Sequence, residues 1–217
     1  LQAFFAGKIN FLREREKCVK IEDMQHYFTH DPNMPDDLRS FAYYFGGQQL
    51  QFTSNSGTFS HGHIDPLSHL LMNTMPPMQG SILDLGCGWG AMGISLCKAY
   101  GLYTTLADVN PRALHCAELN CRANEVDCEI IESDCFDKIA GKFDTIVLNP
   151  PIHAGKDVVW RMFDGAHEHL NPGGKFYIVV LEKHGAKSTM RKLGEVFGAC
   201  EMLYKKKGEY VLCCTKI

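Results

Sequence analysis

The run Ser81-Ile-Leu-Asp-Leu-Gly-Cys-Gly-Trp-Gly90 constrains this chain more than any other stretch. Ser81 to Leu85 is short and mostly apolar, as a buried strand is. Gly86, Gly88 and Gly90 follow at every second position, and a helical apolar pattern begins at once with Ala91, Met92, Ile94 and Leu96. A strand, a glycine turn and a helix open a nucleotide-binding βαβ unit. Glycine permits the tight turn and leaves the main chain open to a ligand where a Cβ would stand in the way.

The pattern then repeats. Strand-like runs at 81–85, 103–108, 128–132, 143–148 and 175–181 alternate with helical stretches at 90–100, 110–123, 156–170 and 186–197, with a short turn near 135–139. Apolar strands separated by helices imply a parallel sheet covered on both faces. The expected fold class is α/β, a Rossmann-like, doubly wound, mostly parallel sheet. Asn110-Pro111 supplies a cap and a first-turn proline for its helix, and Asn171-Pro-Gly-Gly174 reads as the turn into the fifth strand. Ahead of this core, Phe41 to Phe45 and Leu50 to Thr53 read as a small β-hairpin around Gly46-Gly47, and Asp65-Pro66 starts a helix that runs to about Thr74. After it, Cys200 to Tyr204 and Tyr210 to Cys214 read as a C-terminal antiparallel hairpin around Lys205-Lys-Lys-Gly208. Residues 1–21 carry a broken apolar stripe and look helical.

Ligands of open α/β sheets bind beyond the carboxyl ends of the strands. Asp84, Asp108, Asp134 and Asn149 all fall at such ends. Each alone is as readily a turn-former; together they read as a site. The spacing Gly86-x-Gly88-x-x-Ala91 leaves a dinucleotide open. Asp84 shifts the balance, because a carboxylate two residues ahead of the first glycine repels a pyrophosphate and welcomes an ammonium. Asp108 stands where such folds place an acceptor for ribose hydroxyls.

Five segments in order carry a resemblance: Ser54-Asn-Ser-Gly-Thr-Phe-Ser60, the Asp84-Leu-Gly-Cys-Gly88 loop, Asp108-Val-Asn110, Asn149-Pro-Pro-Ile-His-Ala-Gly155 and Glu182-Lys-His-Gly-Ala186. Over about residues 26–217 the chain resembles the class I S-adenosylmethionine-dependent methyltransferases, and within them the small methyltransferase domain of ribosomal RNA guanine methyltransferases. The resemblance implies a helical extension over 1–25, a methyltransferase domain over 26–217, and S-adenosyl-L-methionine as cofactor. It implies that Asp84, Gly86, Cys87, Gly88 and Gly90 hold the methionine part, that Asp108, Val109 and Asn110 take the ribose side, and that Ser133, Asp134 and Cys135 line the adenine, with Gly57, Phe59 and Ser60 nearby. Asn149 and Pro150 are the expected catalytic pair, and Pro151, Ile152 and His153 the expected substrate contacts. An exocyclic amine is a poor nucleophile, and two acceptors on a stiff turn, the Asn149 side-chain carbonyl and the Pro150 carbonyl, can aim its lone pair at the methyl donor. Many amine methyltransferases place an aromatic residue after the prolines; here Ile152 stands there, so stacking on a base falls to His153, Phe59 or another group. The expected partner is ribosomal RNA or a ribosomal particle. An adenine amine or a protein glutamine on the same fold stays open as acceptor. So do a nicotinamide-dependent oxidoreductase and a non-catalytic binding module, against which Asp84 and the intact Asn-Pro-Pro turn speak.

Composition excludes other classes. No apolar run is long enough to span a bilayer, and the start is too short and lacks the basic flank of a signal peptide. The chain begins at Leu1 without Met and reads as a piece of a longer product. None of the ten cysteines forms a Cys-x-x-Cys pair, and His61-x-His63 and His167-x-His169 have no third ligand at useful spacing, so no metal is expected. The cysteines read as free thiols acting as small hydrophobes in a cytoplasmic protein. The oligomeric state stays open, a monomer included. Trp89 and Trp160 read as packing residues. The net charge of −3 hides an asymmetry: residues 1–140 hold 10 basic against 17 acidic side chains, and residues 141–217 hold 12 against 8. A local basic face for a polyanion and a merely solvated charge run are both compatible with that split.

Overall fold

A computed structural model describes residues 37–217. The helical reading of 1–21 and the domain boundary at 25/26 lie outside the described residues. The chain enters through a two-stranded hairpin, β1 (Leu38–Phe45) and β2 (Gln48–Asn55), and a helix, α1 (Pro66–Thr74). Then come β3 (Ser81–Leu85), α2 (Ala91–Tyr100), β4 (Tyr103–Asp108), α3 (Pro111–Asn124), β5 (Cys128–Glu132), β6 (Phe143–Leu148), α4 (Lys156–Glu168), β7 (Leu170–Leu181), α5 (Ala186–Phe197), β8 (Cys200–Lys206) and β9 (Glu209–Thr215). Strands β3 to β9 build one seven-stranded sheet in the order β5-β4-β3-β6-β7-β9-β8, with the helices outside it. β3 to β7 are mutually parallel, and β9 enters antiparallel to β7.

Side-chain parity sorts the core into two layers. Ile82, Leu106, Val147, Tyr177 and Val179 face a cluster closed by α1, α2, α3 and the hairpin. Leu83, Leu85, Ala107, Ile146, Leu148, Phe176 and Ile178 face a second cluster closed by α4 and α5. Burial of both faces explains why these strands are nearly all apolar. The helix starts follow from local chemistry. The Asn110 side chain accepts from the N–H groups of Arg112 and Ala113 ahead of α3, and Asp65 does the same for Leu67 and Ser68 ahead of α1.

Three readings change. β7 begins at Leu170, not at 175, because Leu170 pairs with Phe143 and the Asn171-Pro-Gly-Gly174 turn is absorbed as an irregularity within the strand. Its backbone is satisfied by Lys216, which receives Gly173 N–H on its carbonyl (2.8 Å) and donates to Gly174 O (2.9 Å). For the same reason α4 stops at Glu168. The cysteines are not all thiols: the β8–β9 register sets Cys200 opposite Cys214, Cα atoms 4.1 Å apart, and the two form a disulfide. Neighbouring Cys213 points to the other face and remains a thiol, as do the other described cysteines. Pairing across a sheet depends on register, which one sequence does not display.

The hairpin is fastened by two asparagines with no sequence signal. Asn120 and Asn124, one turn apart on α3, present their carboxamides to the outer edge of β2. Asn120 accepts from Thr53 N–H (2.7 Å) and donates to Thr53 O (2.9 Å), and Asn124 does the same with Gln51 (2.9 and 2.8 Å). They act as a substitute strand, satisfying an edge that would otherwise be buried unpaired.

Candidate functional site

The strand order reverses between β3 and β6, so a crevice opens at the carboxyl ends of these two strands. One wall is the glycine loop. Gly86 and Cys87 both donate their N–H to Ala107 O at the end of β4 (2.8 and 2.9 Å), and Gly88 N–H donates to Asp108 Oδ2 (2.7 Å). Gly88 has φ +55, and a Cβ there would meet nothing within 4 Å, so open space lies over this main chain. Asp108 Oδ1 accepts Asn110 N–H (2.9 Å). Burial pushes the Asp108 carboxyl up from its ordinary pKa, against the pull of the N–H groups of Asn110, Gly88 and Val109. Val109 beside it is 51% exposed, as is Phe59.

Phe59 arrives through the loop after β2. Asn110 Nδ2 donates to Gly57 O (3.2 Å), and the buried Trp89 donates from Nε1 to Phe59 O (2.8 Å), with its ring against Phe41 and Phe52. Trp89 thus packs, as expected, and also ties the glycine loop to the 54–60 segment. Ser60 lies in the same loop at φ +59, its hydroxyl turned to His63 O (3.0 Å).

Asp84 does not face the crevice openly. It is fully buried under α2, its Oδ2 accepting Gly93 N–H at 2.7 Å. A Cβ at Gly93 would run into Leu106 and crowd Asp84, so one of them would have to shift. Oδ1 of Asp84 has no hydrogen-bond partner among the described residues. Burial first, then the nearby Asp108, raises its pKa to about 7. Cys87 is buried, and its thiol is pushed up by burial and by both carboxylates, so it is a packing residue of the loop and no nucleophile.

The trio Ser133, Asp134 and Cys135 is split. Ser133 and Cys135 are buried, and the Ser133 hydroxyl closes the local turn to Cys135 O and Lys138 N–H (3.1 Å each). Only Asp134 is exposed, and both its oxygens are held by Arg161 (2.8 and 3.0 Å), which keeps its carboxyl below the usual range.

The opposite wall is the Asn149-Pro-Pro151 turn after β6. Asn149 Nδ2 donates one hydrogen to Asp65 Oδ2 (2.9 Å) and one to Ser68 Oγ (3.0 Å), both at the start of α1. Pro150 O accepts Ile152 N–H (2.9 Å) and keeps a second lone pair. Ile152–Ala154 form a 3₁₀ turn that exposes His153, whose ring stands edge-on to His184 with centroids 6.2 Å apart. Burial, Lys183 and His153 push His184 below its ordinary pKa, which favours the neutral imidazole. Asp65, Ser68 and His184 were not foreseen as site residues. Asp65 was legible only as a helix start; its distance of 84 residues from Asn149 hides the rest.

The model of the methyltransferase small domain family matches residues 49–213. An uncharacterized Bacillus subtilis protein, YbxB, is 36% identical over 199 residues, 89% of this chain and 99% of that one. The ribosomal RNA small subunit methyltransferase C of Pasteurella multocida is 38% identical over 136 residues, 60% of this chain and 42% of the relative. Among solved structures, the T. thermophilus 16S rRNA N2 methyltransferase RsmC, in complex with AdoMet and guanosine, superposes with a TM-score of 0.75 at 28% identity, covering 86% of this chain and 52% of that one. The chain therefore spans nearly all of the Bacillus relative but about half the length of the ribosomal RNA methyltransferases it matches.

Proposed function

We propose that this chain, which belongs to the methyltransferase small domain family and is an S-adenosylmethionine-dependent methyltransferase, methylates an exocyclic amine of an RNA base, in first place N2 of a guanine in small-subunit ribosomal RNA. The residues fit the cofactor. Open room lies over Gly88, Asp108 stands on the rim as an acceptor for hydroxyls, and Asp84 keeps one buried oxygen without a partner among the described residues. When bound, S-adenosylmethionine supplies an electrophilic methyl group on a sulfonium, an already activated donor.

One observation carries the acceptor class. Asn149 Oδ1 and the free lone pair of Pro150 O are two neutral acceptors on one proline-stiffened turn, across the crevice from the glycine loop. An NH₂ group has two hydrogens to give them. With both taken, its nitrogen lone pair points out of the plane that they define, and the turn holds it there at little further entropy cost. A turn of this kind stabilises the nitrogen most as it turns pyramidal, so its effect belongs to the transition state. The nitrogen is cationic after transfer and sheds its proton readily to water, so the chain's carboxylates are not needed as bases.

The sheet's topology supports an RNA partner. β9 runs antiparallel to β7, with Leu181 opposite Glu209, and Glu182 N–H donates to Gly208 O at 2.7 Å. The Lys205–Lys207 turn therefore stands at the same end of the sheet as Asn149. Exposed Lys156, Lys183 and Lys187 lie on the loops and helix starts of that end. Arg161, bound to Asp134, and Arg191, 3.8 Å from Glu195, are already partnered. The test is to incubate the protein with labelled S-adenosylmethionine and total RNA from cells lacking it, then map the modified nucleoside. N2-methylguanosine in small-subunit RNA is the expected product. Label on adenine N6 or on protein overturns the reading.

A further inference from the structure

We propose that Asp65 and Ser68 are positioning residues for methyl transfer, and that Asp65 is the reason position 149 holds Asn and not Asp. The proposal rests on the amine-acceptor reading of the same site. A carboxamide can be turned either way, and only its neighbours decide which end faces the substrate. Here the neighbours leave no choice. Asp65 Oδ2 already accepts the N–H groups of Leu67 and Ser68 at 2.9 Å each, which pins it at the cap of α1. A carboxylate oxygen so placed takes the Asn149 NH₂ at 2.9 Å and would repel the carbonyl. Ser68 Oγ takes the second hydrogen at 3.0 Å. Both donors are consumed on the α1 side, so the crevice meets Oδ1 alone.

Two consequences follow. The site accepts N–H groups at this point and rejects a ring nitrogen or carbonyl oxygen, which would face Oδ1 as one acceptor against another. Position 149 is also not free to carry a carboxylate. Asn149→Asp would set two carboxyl groups against each other at the distance of the present 2.9 Å contact, in a half-buried setting. One would have to take a proton or the turn would have to move. Exchanging the two residues removes the charge repulsion but does not rebuild the contact: one atom, Asp65 Oδ2, takes both cap N–H groups and the Asn149 NH₂, so a carboxamide at position 65 can keep the cap with its carbonyl or the contact with its NH₂, not both.

The test uses Ser68→Ala, Asp65→Asn, Asn149→Asp and the exchange Asp65→Asn/Asn149→Asp. Substrate-free readouts come first. In protein labelled with ¹⁵N-asparagine, the Asn149 side-chain NH₂ pair, identified by its loss in Asn149→Asp, should exchange slowly. In Ser68→Ala it should exchange about tenfold faster, with one proton shifted upfield. An unchanged pair overturns the clamp. Asn149→Asp should melt below the wild type, and Asp65→Asn should cost less in that background than alone, because it removes the like-charge contact; melting points that simply add overturn the coupling. On small-subunit RNA from cells lacking the enzyme, Ser68→Ala should lower kcat about tenfold, leave KM for RNA and Kd for S-adenosylmethionine unchanged, and lower nothing further in an Asn149→Ala background. Asn149→Asp should lose about 100-fold in kcat. An unchanged kcat in Ser68→Ala overturns the positioning role. If the wild type labels no RNA, the amine-acceptor reading falls, while exchange and melting still decide whether the clamp exists.

Discussion

The two walls of the crevice are built on different principles. The glycine wall is held by contacts close in sequence: Gly88 N–H reaches Asp108 across 20 residues, and Gly86 and Cys87 reach Ala107. Its donors are mostly main chain, so its shape follows from where glycines permit the backbone to go. The Asn149 wall is held by side chains 84 and 81 residues away on a helix outside the sheet. One wall is shaped by backbone geometry. The other is set by the orientation of a single carboxamide, and a displacement of α1 would change it.

Four measurements break or sharpen that contrast. Asn149→Ala should lower turnover by about 100-fold or more, as loss of one preorganised polar contact at a reacting centre does. Calorimetry should find its cofactor affinity unchanged, since the glycine wall is untouched; a parallel loss of cofactor binding would join the two walls into one unit.

The next concerns Asp84. Its folded pKa of about 7 stands above the carboxylate range of the unfolded chain. Its contribution to stability is therefore fully present below that range and is lost as pH rises through about 7. Denaturant titrations from pH 5 to pH 8 should show the wild type losing on the order of 2 kcal/mol that Asp84→Asn does not lose. Saturating S-adenosylmethionine, whose ammonium favours the ionised carboxylate, should reduce the difference. Equal pH profiles would show that Asp84 is ionised in the fold throughout.

Asp108→Ala should weaken the cofactor roughly tenfold, because a hydroxyl acceptor is lost and Gly88 N–H is left without its partner, about 1–3 kcal/mol in all. Circular dichroism should report an unchanged fold. Full affinity would move the ribose contact elsewhere along the rim.

The smallest effect is expected at the Lys205–Lys207 turn. Lys205→Ala/Lys206→Ala/Lys207→Ala should leave kcat intact and lower RNA affinity, with the slope of log affinity against log salt falling by about 2 if all three meet phosphates. Lys205 lies 5.6 Å from the Tyr210 ring centroid, and a slope unchanged in the triple variant would assign the run to that packing and to solvent.

How much was legible follows the same division. Ser81 to Gly90 announced its strand, loop and helix because each is specified within a few residues by apolar runs and positive-φ glycines. The strand ends at Asp84, Asp108 and Asn149 were legible for the same reason, and β3 to β6 fall where the periodicity puts them. The start of β7 was not, because the groups that satisfy Asn171 to Gly174 sit on Lys216. The Cys200–Cys214 bond was not, because it depends on register between strands. Asp134 looked like an available acceptor, but Arg161 reaches it from α4.

By itself, then, the sequence determined the alternation of strands and helices, the glycine loop at the end of β3, and the place of an Asn-Pro-Pro turn at a strand end. These rest on local backbone preference and on the burial of apolar runs, both properties of short segments. Only the tertiary structure decided which way the Asn149 carboxamide faces, that Asp84 sits sealed under α2 with one oxygen unmatched, and that two asparagines of α3 complete the hairpin's edge. The reason is physical: a polar side chain is oriented by partners in contact with it, and in a doubly wound sheet those partners come from strands and helices far apart in the chain.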